Sequence, residues 1–125
     1  MKSAVSTSGA PKAVGPYSQA VRAGDLLFVA GQIPLDPSGT MAEGDCGVQA
    51  GRVLENIGAI LSVAGLSFAH VVRTTVYLSD MNDLPVMNDV YGKYFSEPYP
   101  ARATVQVARL PRDVKIEIEV IASYA

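Results

Sequence analysis

Hydrophobic residues recur along the chain with two different periods, which predict both helices and strands. Between residues 49 and 64 the apolar side chains lie three and four positions apart, and Gly65 follows where a left-handed helix cap would stand, so this segment is predicted to be a helix. Residues 79–95 open with capping residues and repeat the same spacing, which predicts a second helix despite Gly92. Apolar and polar residues alternate over residues 71–78, VVRTTVYL, which predicts a central strand.

Four further runs are predicted to be strands. Residues 17–21 and 26–31 read as a hairpin around Gly24, and two alternating runs within residues 102–124 are joined through Leu110 to Asp113. The prolines and glycine of IPLDPSGT, residues 33–40, predict a loop. The predicted order is ββαβαββ, a single α+β domain over residues 1–125 with roughly five strands and both helices on one face.

The composition of the chain predicts that it forms an oligomer. Apolar residues make up 49% of the chain and charged residues 18%, which is more apolar surface than one small domain easily covers. Because the two helices can cover only one face of the sheet, the other face is expected to meet further copies in a symmetric homo-oligomer.

Charge and segment composition argue against nucleic acid and membrane as partners. The net charge is -2, and the ten Lys and Arg residues form no basic stripe. Residues 1–19 contain no apolar signal-peptide core, and nowhere do about 18 apolar residues run together. The expectation is a soluble, cytoplasmic protein.

The sequence contains few residues that could bind a metal or carry out thiol chemistry. Cys46 is the only cysteine and His70 the only histidine, so an internal disulfide is impossible and the usual zinc sites cannot be assembled. Both residues are interpreted as structural. The aspartates at 80, 83 and 89 are at positions typical of helix caps and of an exposed helix face, so no metal site is expected.

Arg102 and Glu117 are the main candidates for chemistry, and each has an ordinary alternative. Arg102 follows PYP at the start of a predicted strand, where its guanidinium could hold a carboxylate in a cleft or simply pair with a surface acid. Glu117 and Glu119 alternate with apolar residues, as acids on the wet face of a strand do. If that face lies at a subunit junction, a glutamate there could orient or deprotonate water.

Tyr17, Gly31 and Asn88 are weaker candidates. The Tyr17 hydroxyl could bind a ligand carboxylate or belong to an amphipathic residue at a strand edge. Gly31 could allow close backbone approach to a ligand or form a glycine bulge. Asn88 is a solvated helix residue unless its face meets a neighbouring subunit.

Four ordered blocks resemble the RidA/YjgF family of imine and enamine deaminases along essentially the whole chain. They are APKAVGPYSQAV, LLFVAGQIPLDPSG, AGLSFAHVVRTTVYLSDMNDLPVMNDVYGKYF and YPARATVQVARLPRDVKIEIEVIA. The resemblance implies a chorismate-mutase-like fold assembled as a homotrimer with clefts between subunits. It also implies hydrolysis of 2-imino acids such as 2-iminopropanoate and 2-iminobutanoate, and their enamines, to 2-keto acids and ammonia, without a cofactor.

The resemblance also assigns roles to single residues. Arg102 would clamp the substrate carboxylate, Glu117 would position the attacking water, and Tyr17 would complete the cleft. Gly31 and Asn88 would line it, and ligand contacts near Thr104 would include backbone. Of the two glutamates only Glu117 falls at the family position, and Glu119 is expected on the opposite face of the strand.

Two departures from the family bear on specificity. Ala30 stands where many members carry Ser or Thr, which removes a hydroxyl near the ligand, and Thr104 stands where many carry cysteine. The alternatives to a general imine deaminase are a non-catalytic module that binds a keto acid or another small carboxylate, a pathway-specific deaminase for a longer unsaturated amino acid, and an RNA-directed nuclease or translation inhibitor. The acidic balance argues against the nuclease.

Overall fold

Six strands and two helices make up the computed structural model, which describes all 125 residues. In chain order they are β1 (Lys2–Val5), β2 (Ala20–Ala23), β3 (Leu26–Gln32), α1 (Cys46–Val63), β4 (Val71–Leu78), α2 (Leu84–Tyr91), β5 (Ala101–Gln106) and β6 (Ile116–Ser123). The α+β prediction is confirmed. The strand count is corrected from about five to six, because β1 is a short, mostly exposed edge strand without the apolar alternation that identifies the others.

The sheet has the strand order β1-β2-β3-β6-β4-β5. All neighbouring strands are antiparallel except β4 and β5, which are parallel. The predicted hairpin is present as β2 and β3, joined through Gly24 with a positive φ of 60°. Its first strand lies at Ala20–Ala23 rather than over residues 17–21, so Tyr17 stands in the loop before it. β4 lies between β6 and β5, inside the sheet but not at its centre.

Both predicted helices form, with different ends. α1 begins three residues earlier than expected, because the Asp45 side chain caps it by accepting from the Val48 backbone N–H over 2.9 Å. α2 is confined to eight residues, because the Asp80 side chain caps a separate short 3₁₀ turn before it. Gly65 follows α1 with a φ of 81°, as the sequence predicts.

The core lies between the two helices and one face of the sheet. Burial alternates without interruption along β6, where Ile116, Ile118, Val120 and Ala122 are buried against the helix side and the residues between them are partly exposed. The opposite face, the open face, has no covering layer and carries Phe28, which is 43% exposed. This confirms that both helices lie on one face.

Glu117 and Glu119 both belong to the open face, which corrects the expectation that they point to opposite sides. Side chains alternate at every residue of a strand, so two residues that are two positions apart share a face. Both glutamates lie between the buried residues of β6, and both line the same cavity.

No helix is long and apolar enough to cross a lipid bilayer. No cluster of three or more histidine, cysteine, aspartate or glutamate side chains is arranged to hold a metal ion.

Truncating Ile118 is expected to cost about 2–5 kcal/mol of unfolding free energy, because this side chain is fully buried at the centre of the sheet and Ile118→Ala leaves a cavity. Val48→Ala, on the half-exposed outer surface of α1, is the control and should change stability by about 0.5 kcal/mol or less. Denaturant unfolding followed by circular dichroism at one protein concentration compares them. Equal losses for the two variants would contradict this account of the core.

Candidate active site

Glu117 and Gly31 form the tightest contact of the candidate site. The pairing of β3 with β6 shifts register between Val29 and Gln32, so a bulge places Gly31 beside the Glu117 side chain. A Cβ atom at Gly31 would lie 2.9 Å from Cδ of Glu117 and closer still to the carboxylate oxygen Oε2. Of the two interpretations of Gly31, the bulge is confirmed. The Glu117 carboxylate is the group within this chain that lies close to the Gly31 backbone.

A cavity of about 580 Å³ opens in front of this carboxylate. Tyr17, Ala30, Gly31, Glu117 and Glu119 contribute to its wall, together with the apolar side chains of Val14, Ile33 and Pro111. Tyr17 is 54% exposed, and its hydroxyl accepts a long hydrogen bond from the Val14 backbone N–H, at 3.4 Å. The predicted residues Tyr17, Gly31 and Glu117 are therefore brought together, and Ala30 presents only a methyl group beside them.

The segment that carries Tyr17 is held by Gln19, which the sequence analysis did not single out. The buried Gln19 side chain accepts from the Thr7 backbone N–H over 2.7 Å and donates to the carbonyl oxygens of Thr7 and Pro11, over 3.1 and 2.8 Å. These bonds tie the loop before β2 to the segment after β1. The only sequence signal was the position of this amide two residues after Tyr17 in GPYSQ.

The electrostatics of the cavity are set by two carboxylates. Burial, and then the neighbouring charge of Glu119, raise the pKa of Glu117 above the ordinary glutamate value. The one ion pair of the chain joins Arg109 to Asp113, so neither glutamate is neutralised by a cation within the chain. A carboxylate that is half-buried and unpaired is suited to accept a proton from water or to return one.

Arg102 lies on the other side of the sheet. In the parallel pairing of β4 with β5 it is the partner of Thr74, whose buried hydroxyl lies 2.8 Å from the Tyr91 hydroxyl of α2. The Arg102 guanidinium carbon lies 4.9 Å from the centre of the Tyr91 ring. Arg102 is thus exposed at the edge strand but directed to the helix-covered side of the sheet.

Thr104 and Asn88 belong to the same side as Arg102. Thr104 lies two residues further along β5, and its buried hydroxyl has no hydrogen-bond partner within the chain. Asn88 is exposed on α2, three residues before Tyr91 and so on the neighbouring helical turn. An unpartnered hydroxyl beside an exposed guanidinium leaves polar groups free for a ligand or for another chain.

The six predicted site residues therefore fall into two half-sites. Tyr17, Gly31 and Glu117 form the glutamate half-site on the open face, whereas Asn88, Arg102 and Thr104 form the arginine half-site at the β5 edge of the helix-covered face. Within one chain the sheet separates them, so Arg102 and Glu117 cannot contact the same small molecule.

Cys46 and His70 have structural surroundings, as interpreted from the sequence. Cys46 is buried at the start of α1, and burial raises the pKa of its thiol to about 11. His70 closes a short turn through its Nδ1 atom, which accepts from the Ser67 backbone N–H over 3.1 Å.

Known proteins share this sequence and fold over almost their whole length. A family model described as Endoribonuclease L-PSP matches residues 7–124. The chain is 57% identical over 123 residues to a RutC family protein of Pyrococcus horikoshii and 48% identical over 126 residues to a 2-iminobutanoate/2-iminopropanoate deaminase of Salmonella typhimurium, with 98% of each chain covered in both cases.

Two solved structures from E. coli agree with the fold. The structure of TdcF with bound serine has a TM-score of 0.92 at 45% identity, and that of the YjgF gene product has a TM-score of 0.93 at 43% identity. Each comparison covers 98% of this chain and 99% of the other. With this sequence identity and this fold, the chain belongs to the RidA/YjgF family.

Proposed function

We propose that this protein hydrolyses 2-imino acids and their enamine tautomers to 2-keto acids and ammonia. The observation that carries the proposal is the Glu117 carboxylate, half-buried, without a counter-ion and seated over Gly31 at the wall of an open cavity. A relative with 48% identity is named as a 2-iminobutanoate/2-iminopropanoate deaminase, and TdcF was solved with serine, a small amino acid with a carboxylate. Both names support a small carboxylate as the ligand class.

The proposed reaction needs little beyond orientation and proton transfer. Water adds to the imine carbon, the C=N electron pair moves to nitrogen, and Glu117 takes the proton that the water loses. Glu117 then returns this proton to nitrogen, which gives a carbinolamine. The C–N bond breaks with its electron pair on the departing nitrogen, the hydroxyl oxygen forms the keto C=O bond, and the hydroxyl proton passes through Glu117 to the nitrogen, which leaves as ammonia. Because the iminium carbon is already electrophilic, holding water and substrate in line supplies most of the acceleration.

The remaining predicted residues would bind and orient the substrate. The Arg102 guanidinium would hold its carboxylate by two parallel hydrogen bonds, and the Tyr17 hydroxyl would close the cavity from the loop side. Asn88 and Thr104 would line the arginine half-site. Ala30 would leave apolar space near the substrate, which suits short alkyl side chains such as those of 2-iminopropanoate and 2-iminobutanoate.

The proposal requires a second copy of the chain, because the sheet separates the two half-sites. In a cyclic homotrimer each glutamate half-site would face the arginine half-site of a neighbour, so three copies would make three equal sites. The uncovered apolar residues of the open face and the unpaired edge of β5 support such an assembly. The trimer and the cytoplasmic location stay predictions.

Binding without catalysis is the second candidate, supported by the serine in the TdcF structure. A binding module would need Arg102 but would not need the proton transfer by Glu117. Ribonuclease activity, which the description of the family model names, finds less support in the cavity. Two carboxylates line it and would repel a phosphodiester, and the only histidine of the chain closes a turn outside it.

Replacing Arg102 or Glu117 is expected to remove deamination while the fold is kept. Arg102→Ala loses the carboxylate clamp and Glu117→Gln loses the proton carrier, so each should lower kcat/KM by roughly 100-fold or more. The measurement is 2-keto acid formation from freshly generated 2-iminopropanoate, corrected for spontaneous hydrolysis. Arg109→Ala, which breaks an exposed ion pair, is the control and should keep wild-type rates. A wild-type protein that binds pyruvate through Arg102 but accelerates nothing would establish the binding module instead.

Mixing the two inactive variants tests whether sites form between copies. Arg102→Ala chains keep an intact glutamate half-site, and Glu117→Gln chains keep an intact arginine half-site. If equal amounts are unfolded and refolded together, about one site in four should combine two intact halves, so about a quarter of wild-type activity should return. Refolding each variant alone is the control. Mixed samples that stay inactive, although mass spectrometry shows mixed oligomers, would contradict the shared site.

Gly31→Ala should inactivate the protein without unfolding it. The added Cβ would collide with the Glu117 carboxylate, which must then move out of its place in the cavity. Loss of roughly 100-fold in kcat/KM with unchanged circular dichroism is the expected outcome. Gly51→Ala is the matched control, because a Cβ at Gly51 meets nothing within 4 Å. Full activity in Gly31→Ala would mean that the position of Glu117 over Gly31 does not matter.

A further inference from the structure

A hydrogen bond between Tyr77 and Glu119 lies beside Glu117 on the open face. The Tyr77 hydroxyl donates to Oε1 of Glu119 over 2.6 Å. In the antiparallel pairing of β4 with β6, Tyr77 is the direct partner of Glu117, so its side chain crosses diagonally to reach the next glutamate on the same face. A hydroxyl-carboxylate distance of this length is typical of a strong, charge-assisted hydrogen bond.

Tyr77 stays protonated at ordinary pH and can donate to Glu119. The hydrogen bond to Glu119 is the main cause that raises the pKa of Tyr77 to about 12, followed by burial and by the charges of both glutamates. The phenol therefore stays neutral and keeps its proton on the side of Glu119. The hydrogen bond holds the Glu119 carboxylate in a fixed position.

The wall of the cavity in front of Glu117 offers no positive charge to balance Glu119. From its own strand Glu117 meets Glu119, from β4 it meets Tyr77, and from the loop before β2 it meets Tyr17. Lys12 and Arg112 line an adjoining cavity, and neither forms an ion pair with Glu117. β3 and the turn after Leu110 contribute only uncharged residues to the cavity wall. Arg73 shares a small pocket with Glu119 on the side away from Tyr17 and is in no ion pair with it.

We propose that Tyr77 and Glu119 are positioning residues for Glu117. Tyr77 fixes the Glu119 carboxylate beside Glu117, and the negative charge of Glu119 makes Glu117 bind its proton more tightly than a lone carboxylate would. In the proposed oligomer, the positive charge of Arg102 from a neighbouring copy would make Glu117 bind its proton less tightly.

The catalytic benefit of the Tyr77–Glu119 pair rests on the proposed function. Imine hydrolysis requires Glu117 to take a proton from water and to return it to nitrogen. A carboxylate whose pKa is closer to neutral pH can do both. The Tyr77–Glu119 pair would supply that property without touching the substrate.

The direct test follows Glu117 itself rather than activity. Carboxyl ¹³C NMR titration of the full-length protein, with the Glu117 signal assigned through Glu117→Gln, compares wild type with Glu119→Gln and Tyr77→Phe. Removing the charge in Glu119→Gln should move the Glu117 midpoint to lower pH. Tyr77→Phe, which frees the Glu119 carboxylate to turn towards solvent, should move it in the same direction by a smaller amount.

Tyr94→Phe is the matched control, because Tyr94 also donates to a glutamate, Glu55 of α1, over 3.0 Å, but does so away from the cavity. Its Glu117 midpoint should equal that of wild type. An unmoved midpoint in Glu119→Gln would overturn the proposal, and an unmoved midpoint in Tyr77→Phe alone would remove Tyr77 from it.

Kinetics give a second, separable readout. The ratio of kcat/KM at about pH 5.5 to that at about pH 8 should rise roughly three- to tenfold in Glu119→Gln, the effect of removing one nearby like charge. A ratio equal to that of wild type would count against the pair. If the protein accelerates no imine hydrolysis but the NMR midpoints move as expected, the proposed function fails and the positioning pair stands.

Discussion

The period of two along β6 is the constraint on which the rest of the structure depends. This strand lies between β3 and β4 inside the sheet, and its alternate side chains go to opposite surfaces. One set fills the core under the helices. The other set carries Glu117 and Glu119, so the residues that stabilise the fold and the residues proposed for chemistry are fixed by the same backbone. A slip of one residue would bury both acids and expose the core.

The sheet also divides the candidate site. It is one layer thick, and it directs Glu117 to the open face while Arg102 emerges at the edge of the helix-covered face, against Tyr91. A single copy thus holds two incomplete half-sites rather than one complete site. Assembly and catalysis are linked in the proposed mechanism, because the surface that would bury Phe28 is the surface on which Glu117 stands.

Much of this fold could be predicted from periodicity, and the exceptions have physical causes. The core helix α1 and the strand β4 have many apolar residues at regular spacing, so the sequence identifies both. β1 has four residues, of which only Val5 is partly buried, so it has no alternating side-chain pattern to detect. α1 starts early because of one capping aspartate, a contribution that spacing does not register.

The site could be predicted only in part. Residue types and family resemblance together indicate the six residues, but their division between two faces follows from strand register, which depends on pairing between distant segments. The expectation that Glu119 faces away from Glu117 is wrong because the strand period is two. No sequence pattern indicates Tyr77, because its bond to Glu119 joins residues 42 positions apart. Gln19 was likewise missed, since an amide that bonds to backbone groups leaves no charge or periodicity in the sequence.

The Gln19 side chain has a consequence for the motion of the cavity wall. Its amide is bonded to the backbone of Thr7 and Pro11, in the segment between β1 and Tyr17, so this segment is anchored at the start of β2. Local opening of that region would have to break these bonds together, which makes it one cooperative unit in amide hydrogen exchange. The wall that carries Tyr17 is therefore tied to the segment that follows β1, so a substitution that loosens this segment would also disturb that side of the cavity.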